Sequence, residues 1–96
     1  MVYKLALRSE AERSIDLGIE WYENQKSGLG LRFLLEVEKY LKKITEHPKH
    51  YQVRRKPYRE APLKVFPFVI IYEIVEKEVV VYSVFDARRN PSRKPV

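Results

Sequence analysis

Two runs of β-branched and aromatic residues, Phe68 to Val75 and Val79 to Phe85, stand almost back to back in the second half of this chain, with only Glu76-Lys77-Glu78 between them. Side chains of this kind suit a pleated, half-buried surface, and so short a connection makes the two runs an antiparallel hairpin. The rest of the chain supplies its neighbours. Arg59 to Val65 reads as a preceding strand, with Pro62 at an edge or a bulge because proline donates no ladder hydrogen bond. Val2 to Leu7 alternates Tyr3, Leu5 and Leu7 with Val2, Lys4 and Ala6, the pattern of a short strand at the N-terminus.

Between these strands the hydrophobic period changes from two to three and four. Ser9 followed by Glu12 has the spacing of a capping box and predicts a helix start, and Ala11, Ile15, Gly18, Ile19 and Tyr22 form one apolar face running to about Asn24. Ser27-Gly28-Leu29-Gly30 breaks that helix, and Phe33, Leu34, Val37, Leu41 and Ile44 begin a second stripe that ends at His47-Pro48, since proline disfavours helix in the residue before it. A break this short predicts an antiparallel helical hairpin. The expected fold is α+β, in the order strand, helix, helix, strand, strand, strand, with the helices on one face of a mainly antiparallel sheet. Its core draws on Ile15, Ile19, Tyr22, Phe33, Val37, Leu41, Ile44, Ile70, Tyr72 and Val81. With 96 residues there is material for one domain, placed at 1–91, and residues 92–96 lack any apolar period and are expected to be a loose tail.

Composition narrows the chemistry. There is no cysteine, so a disulfide framework, a thiolate zinc site and a cysteine nucleophile are excluded. No apolar run approaches the 18 or so residues of a membrane span, and the opening residues do not form a signal peptide, so a cytoplasmic location is expected. His47 and His50 lack the carboxylate or thiol pattern of a metal site; no metal or cofactor is expected, and His47 is read as favouring the C-terminal end of the helix dipole. Nineteen Lys and Arg against thirteen Asp and Glu give a net charge of +6, which favours anionic partners. The excess collects in Arg54-Arg55-Lys56 with Arg59, in Lys64, and in Arg88-Arg89. Tyr72 and Tyr82 alternate within strands and read as core or sheet-face aromatics.

Several segments together resemble the RelE/ParE superfamily, the toxins of type II toxin–antitoxin modules, and in particular its ParE-like branch, often labelled plasmid stabilisation proteins. They are Ser9-Glu10-Ala11-Glu12, Trp21-Tyr22-Glu23, Gly28-Leu29-Gly30-Leu31-Arg32-Phe33, Leu63-Lys64-Val65-Phe66-Pro67-Phe68 and Phe85-Asp86-Ala87-Arg88-Arg89-Asn90-Pro91, in that order along nearly the whole chain. The resemblance implies a toxin neutralised by a co-expressed antitoxin that wraps it, reaching operator DNA only through that antitoxin. ParE-like members poison DNA gyrase; RelE-like members cleave mRNA on the ribosome, drawing on basic residues of the central strands and a Tyr or His near the C-terminus. Cleavage through the 2′-hydroxyl needs a general acid and a general base beside the cations. Past Phe85 this chain offers no Tyr, His, Glu or Lys until Lys94, and Asp86 is the one carboxylate there. A non-enzymatic gyrase inhibitor is therefore expected, with a ribosome-dependent endoribonuclease or a degenerate binding domain as alternatives. Arg88, Arg89, Asn90, Arg59, Lys64, Arg54, Arg55 and Lys56 are the expected target contacts, Arg88 and Arg89 foremost, with one of the pair on each face of the strand end. Leu31 and Leu35 lie opposite the buried stripe of their helix and are expected to be exposed, with Trp21 near the hairpin end, as a seat for an antitoxin helix or for a second toxin in a homodimer.

Overall fold

The computed structural model describes residues 2–95. Five strands form one sheet in the order β1-β5-β4-β3-β2, comprising β1 (Lys4–Leu7), β2 (Val53–Arg55), β3 (Tyr58–Pro62), β4 (Phe68–Val75) and β5 (Glu78–Asp86). Two helices, α1 (Ser9–Gln25) and α2 (Leu29–Glu46), pack antiparallel on one face, and short 3-10 turns occupy Pro48–His50 and Pro91–Arg93. The two apolar runs are the central hairpin β4–β5. The sheet is antiparallel except where β1 lies parallel to β5, with Leu7 opposite Val81. This is the expected α+β arrangement with one strand more than expected: Val53–Arg55 is too short and too basic to show an apolar pattern, yet it pairs with β3 as an edge strand.

Local details differ where tertiary pairing outweighs local preference. The capping box does not form. Arg8 holds the extended N-cap conformation because its N–H continues the ladder to the Val81 carbonyl, so Ser9 is already the first helical residue and the Glu12 N–H bonds to the Arg8 carbonyl. β3 ends at Pro62 instead of reaching Val65, and Pro62, the last residue of its strand, sits opposite Val69. Residues 63–67 form a loop, held from beneath by Glu36 of α2, whose Oε2 accepts from the N–H groups of Lys64 (3.2 Å) and Val65 (3.0 Å). At the C-terminus, residues expected to be loose make a 3-10 turn. Asn90 Oδ1 accepts from the Ser92 N–H, and Lys94 Nζ meets Glu60 Oε2 at 2.7 Å.

The core lies between helices and sheet. Every residue expected there is buried or, for Ile19, packed half-buried against the rest. Its centre is aromatic: Phe33, fully buried, makes edge contacts with Phe66 and Phe68, and Tyr22 joins the group. α1 and α2 approach closely where Gly18 faces the Phe33 ring; a methyl group at Gly18 would lie 2.6 Å from that ring. Tyr72, also in the core, donates its hydroxyl to the Pro48 carbonyl, and burial pushes its pKa up. One bulge interrupts β5: Ile71 faces Ser83 while Tyr72 faces Val81, leaving Tyr82 over. Beyond it β5 has no strand beside it on the β1 side, and the hydroxyl of Ser14 on α1 accepts the Val84 N–H instead (3.0 Å).

Candidate functional site

A cleft of about 530 Å³ opens between the outer flank of α1 and the end of β5. Leu17 and Trp21 form its apolar wall, Phe85 and Val84 its floor, and Arg88, Arg89 and Arg93 its basic rim, with Glu10 and Glu20 across from them on α1. Leu17 and Trp21 are about half exposed, at 56% and 49%, although both are large and apolar.

Arg88 and Arg89 fall just beyond the strand. β5 stops at Asp86, and the chain turns, with the Arg89 N–H returning to the Asp86 carbonyl at 3.0 Å. Strand alternation therefore does not apply to the pair, and both arginines border one cleft instead of opposite faces. The Asp86 carboxylate fixes Arg88 from two sides: Nε donates to Oδ1 at 3.0 Å and Nη2 to Oδ2 at 2.8 Å, while the Arg88 backbone N–H also reaches Oδ1. The guanidinium lies 5.4 Å from the centre of the Trp21 ring, within cation–π range. The hydrogen bonds from Arg88 hold the Asp86 carboxyl below its ordinary range, so Asp86 is a fixed carboxylate that has no proton to give near neutrality. Arg89, by contrast, is exposed and forms no ion pair among the described residues.

The other expected contacts are scattered. Arg59 turns towards the helices, where Nη1 donates to the Tyr51 carbonyl at 2.6 Å, tying β3 to the segment after α2. Asn90 is occupied as the cap of the 3-10 turn. Arg54, Arg55 and Lys56 are exposed at the far edge of the sheet, four strands from β1, and Lys64 is exposed on the loop that Glu36 holds. Leu31 and Leu35 are exposed, at 58% and 54%, on the outer face of α2. Trp21 borders the α1 cleft, whereas Leu35 borders a separate depression with Arg32, Lys39, Val65 and Phe66. The structure thus brings Trp21 to Arg88 and not to the leucines.

Sequence reasoning passed over one polar group. Glu73 follows the core residue Tyr72 and so faces away from the helices, and its Oε1 accepts from the Tyr82 hydroxyl at 2.8 Å. Tyr58 meets the Tyr82 ring edge-on at 5.5 Å, and the Arg8 guanidinium lies 5.5 Å from that ring's centre. The hydrogen bond to Glu73 is the main cause that raises the Tyr82 pKa. The bulge at Tyr82 aims this side chain, and a bulge has no signature in a run of Val, Tyr and Ser. Among the described residues no group of three His, Asp or Glu is placed to hold a metal ion.

A family model described as the ParE toxin of type II toxin–antitoxin system, parDE, matches residues 5–91. The chain belongs to the ParE toxin family. Solved structures carry the same fold. The chain superposes on a protein of the chromosomal ParDE system of P. aeruginosa with a TM-score of 0.80 at 13% identity, covering 88% of this chain and 96% of that one. It is also similar to the isolated E. coli RelE toxin, with a TM-score of 0.60 at 26% identity over 94% of this chain and 89% of that one. No curated protein matches it in sequence. Membership makes this chain the toxin of a toxin–antitoxin pair, with an antitoxin as its partner. Within this ParE-family fold the matched region ends at Pro91, so the cleft's floor and two of its rim arginines belong to the shared domain, and Arg93 lies just beyond.

Proposed function

We propose that this toxin acts by docking on DNA gyrase and arresting it, without cleaving RNA itself, and that the α1–β5 cleft with its arginine rim makes the contact. The observation that carries this reading is the state of Asp86. The one carboxylate at the end of β5 is spent in holding Arg88 beside the Trp21 ring, which builds a fixed recognition surface next to the exposed Arg89. A guanidinium clamped from behind by a carboxylate and stacked on an aromatic ring is pre-organised for contact, so little side-chain freedom remains to be lost on binding. The basic edge Arg54-Arg55-Lys56 and Lys64 add long-range attraction to an anionic target. Antitoxin binding prevents the contact, and operator DNA is reached through the antitoxin.

A second reading, ribosome-dependent mRNA cleavage, is favoured by the Tyr82–Glu73 pair, a hydrogen-bonded hydroxyl and carboxylate beside the Arg8 guanidinium on the face of the sheet away from the helices. The purified toxin is to be run in gyrase supercoiling and in cleavage of ribosome-bound mRNA side by side. Inhibition of supercoiling with intact mRNA is the expected result. Cut mRNA that Tyr82→Phe or Glu73→Gln abolishes, with supercoiling untouched, replaces the first reading by the second.

A further inference from the structure

The face of the sheet away from the helices is drier than an open sheet face should be. Ile71 lies between the core residues Ile70 and Tyr72 and faces away from the helices, as do Ser83, its partner on β5, and Phe85, next to Val84 of the core. With nothing laid over them such side chains stay partly wet, yet they are only 1%, 2% and 6% exposed. The segment after β5 comes back over them. The chain turns at Asp86, passes through the 3-10 turn Pro91–Arg93, and brings Lys94 Nζ to within 2.7 Å of Glu60 Oε2. Glu60 stands on β3 opposite Ile71, which stands opposite Ser83, so the three form one row across the sheet. Reaching the far end of that row from β5 means crossing β4, a span of about 10 Å. Arg93 and Pro95 also border the α1–β5 cleft alongside Ser83, Phe85 and Trp21, so the same segment forms one side of the cleft.

This segment is tied to the rest of the chain at its two ends. Arg88 is held at the start, by Asp86 and by the Trp21 ring. At the other end is the ion pair of Lys94 with Glu60, whose side chains are 24% and 15% exposed. Beyond Ala87, every other hydrogen bond of the segment among the described residues closes within residues 86–95. We propose that Lys94 and Glu60 form a clasp that seats residues 89–95 as a strap across this face, and that the clasp positions Arg93 at the cleft for target contact. A segment tied at one point beyond its hinge leaves the surface when that tie is cut. With the clasp open, Arg93 and Pro95 move off the cleft and Ile71 and Phe85 are wetted, while Arg88 stays where Asp86 holds it. Lys94 and Glu60 act through Arg93 and are positioning residues. The clasp itself stands on geometry alone, whereas its effect on target contact rests on the cleft's being the gyrase contact.

Trp21, the one tryptophan of the chain, borders the cleft and reports on the strap. Full-length toxin is compared with Lys94→Glu, Glu60→Lys and the double variant carrying both, in which the pair is restored with its charges exchanged. Each single variant should leave Trp21 more open to quenching by acrylamide and should brighten a dye that binds exposed apolar surface, and the double variant should return both signals to the parental level. In gyrase supercoiling the single variants should need about tenfold more toxin for the same inhibition, the loss of one charged contact, and the double variant should recover. Melting curves establish that each variant is folded, and Lys94→Gln takes the place of a single variant that is not. Quenching and dye binding unchanged in both single variants overturn the clasp, and so does a folded double variant that fails to recover. Single variants that shift the Trp21 signal but inhibit supercoiling as the parent does overturn the positioning of Arg93 and leave the clasp standing. A parent that does not inhibit supercoiling at all overturns the gyrase reading, while the Trp21 and dye signals still decide the clasp.

Discussion

Replacing Glu36 by Ala tests whether one buried carboxylate holds the 63–67 loop in place. Its Oε2 accepts two backbone N–H groups, at 3.2 and 3.0 Å, from residues nearly thirty positions along the chain, and the side chain is almost wholly enclosed. A hydrogen bond to a charged acceptor contributes about 1.5–3 kcal/mol, so two at the lower end amount to about 3 kcal/mol. Lys64 and Val65 are exposed residues whose amides can find water once the carboxylate is gone, which reduces the expected loss to about 2 kcal/mol. For a domain of this size that corresponds to a fall in Tm of about 8–15 °C. Glu36→Gln keeps an acceptor oxygen but not its charge and should lose about half as much. Denaturant melts give the free energies, and hydrogen exchange at the Lys64 and Val65 amides should speed up before that of the central hairpin. If Glu36→Ala melts within about 0.5 kcal/mol of the parent, the level of an ordinary surface change, the loop is held by something else and the reasoning fails.

Gly18→Ala pushes a methyl group against the Phe33 ring, and because that ring is wedged among Phe66, Phe68 and Tyr22 it should destabilise by about 1–3 kcal/mol despite alanine's better helix propensity, as measured by urea melts. Asp86 has its pKa lowered by Arg88, so its contribution is present above the ordinary carboxylate range and is lost as pH falls through the depressed folded value; Tm curves of parent and Asp86→Asn should differ at neutral pH and converge in acid. Arg89→Ala should weaken growth arrest on induction without antitoxin more than Arg59→Ala does once folding is confirmed by thermal melt, since Arg89 borders the cleft while Arg59 is spent on the Tyr51 carbonyl.

The helical hairpin and the central β-hairpin were legible because each rests on a hydrophobic period that burial then satisfies, as at Phe33, Val37, Ile70 and Tyr72. Three things escaped for separate reasons. Val53–Arg55 becomes a strand only because β3 lies beside it, so its own side chains carry no strand pattern. Ser9 and Glu12 have a valid local motif that a non-local bond, from the Arg8 N–H to the Val81 carbonyl, shifts by one residue. Glu36 has no local signal that sets it apart, since its role depends on a loop that folds over it from the second half of the chain. In the candidate site, the arginine pair was legible as a charge cluster. Its geometry was not: the strand ends at Asp86, and a turn, which does not alternate, brings both side chains to one cleft.

The two margins of the sheet are protected against self-assembly by different means. β1 spans only Lys4–Leu7 and leaves the end of β5 without a strand neighbour, but α1 lies alongside and the Ser14 hydroxyl takes up the Val84 N–H that another chain would otherwise use. At the opposite margin, β2 offers its ladder groups in a strand of three residues, two of them arginine, with Lys56 next. A short cationic edge repels its own copy in register, so neither margin invites the strand-to-strand growth that leads to aggregates. A toxin released from its antitoxin passes through an interval with no covering partner. Margins built this way let it stay dispersed during that interval, and charge removal at Arg54 and Arg55 should show first as precipitation of the free toxin, before any change in its melting temperature.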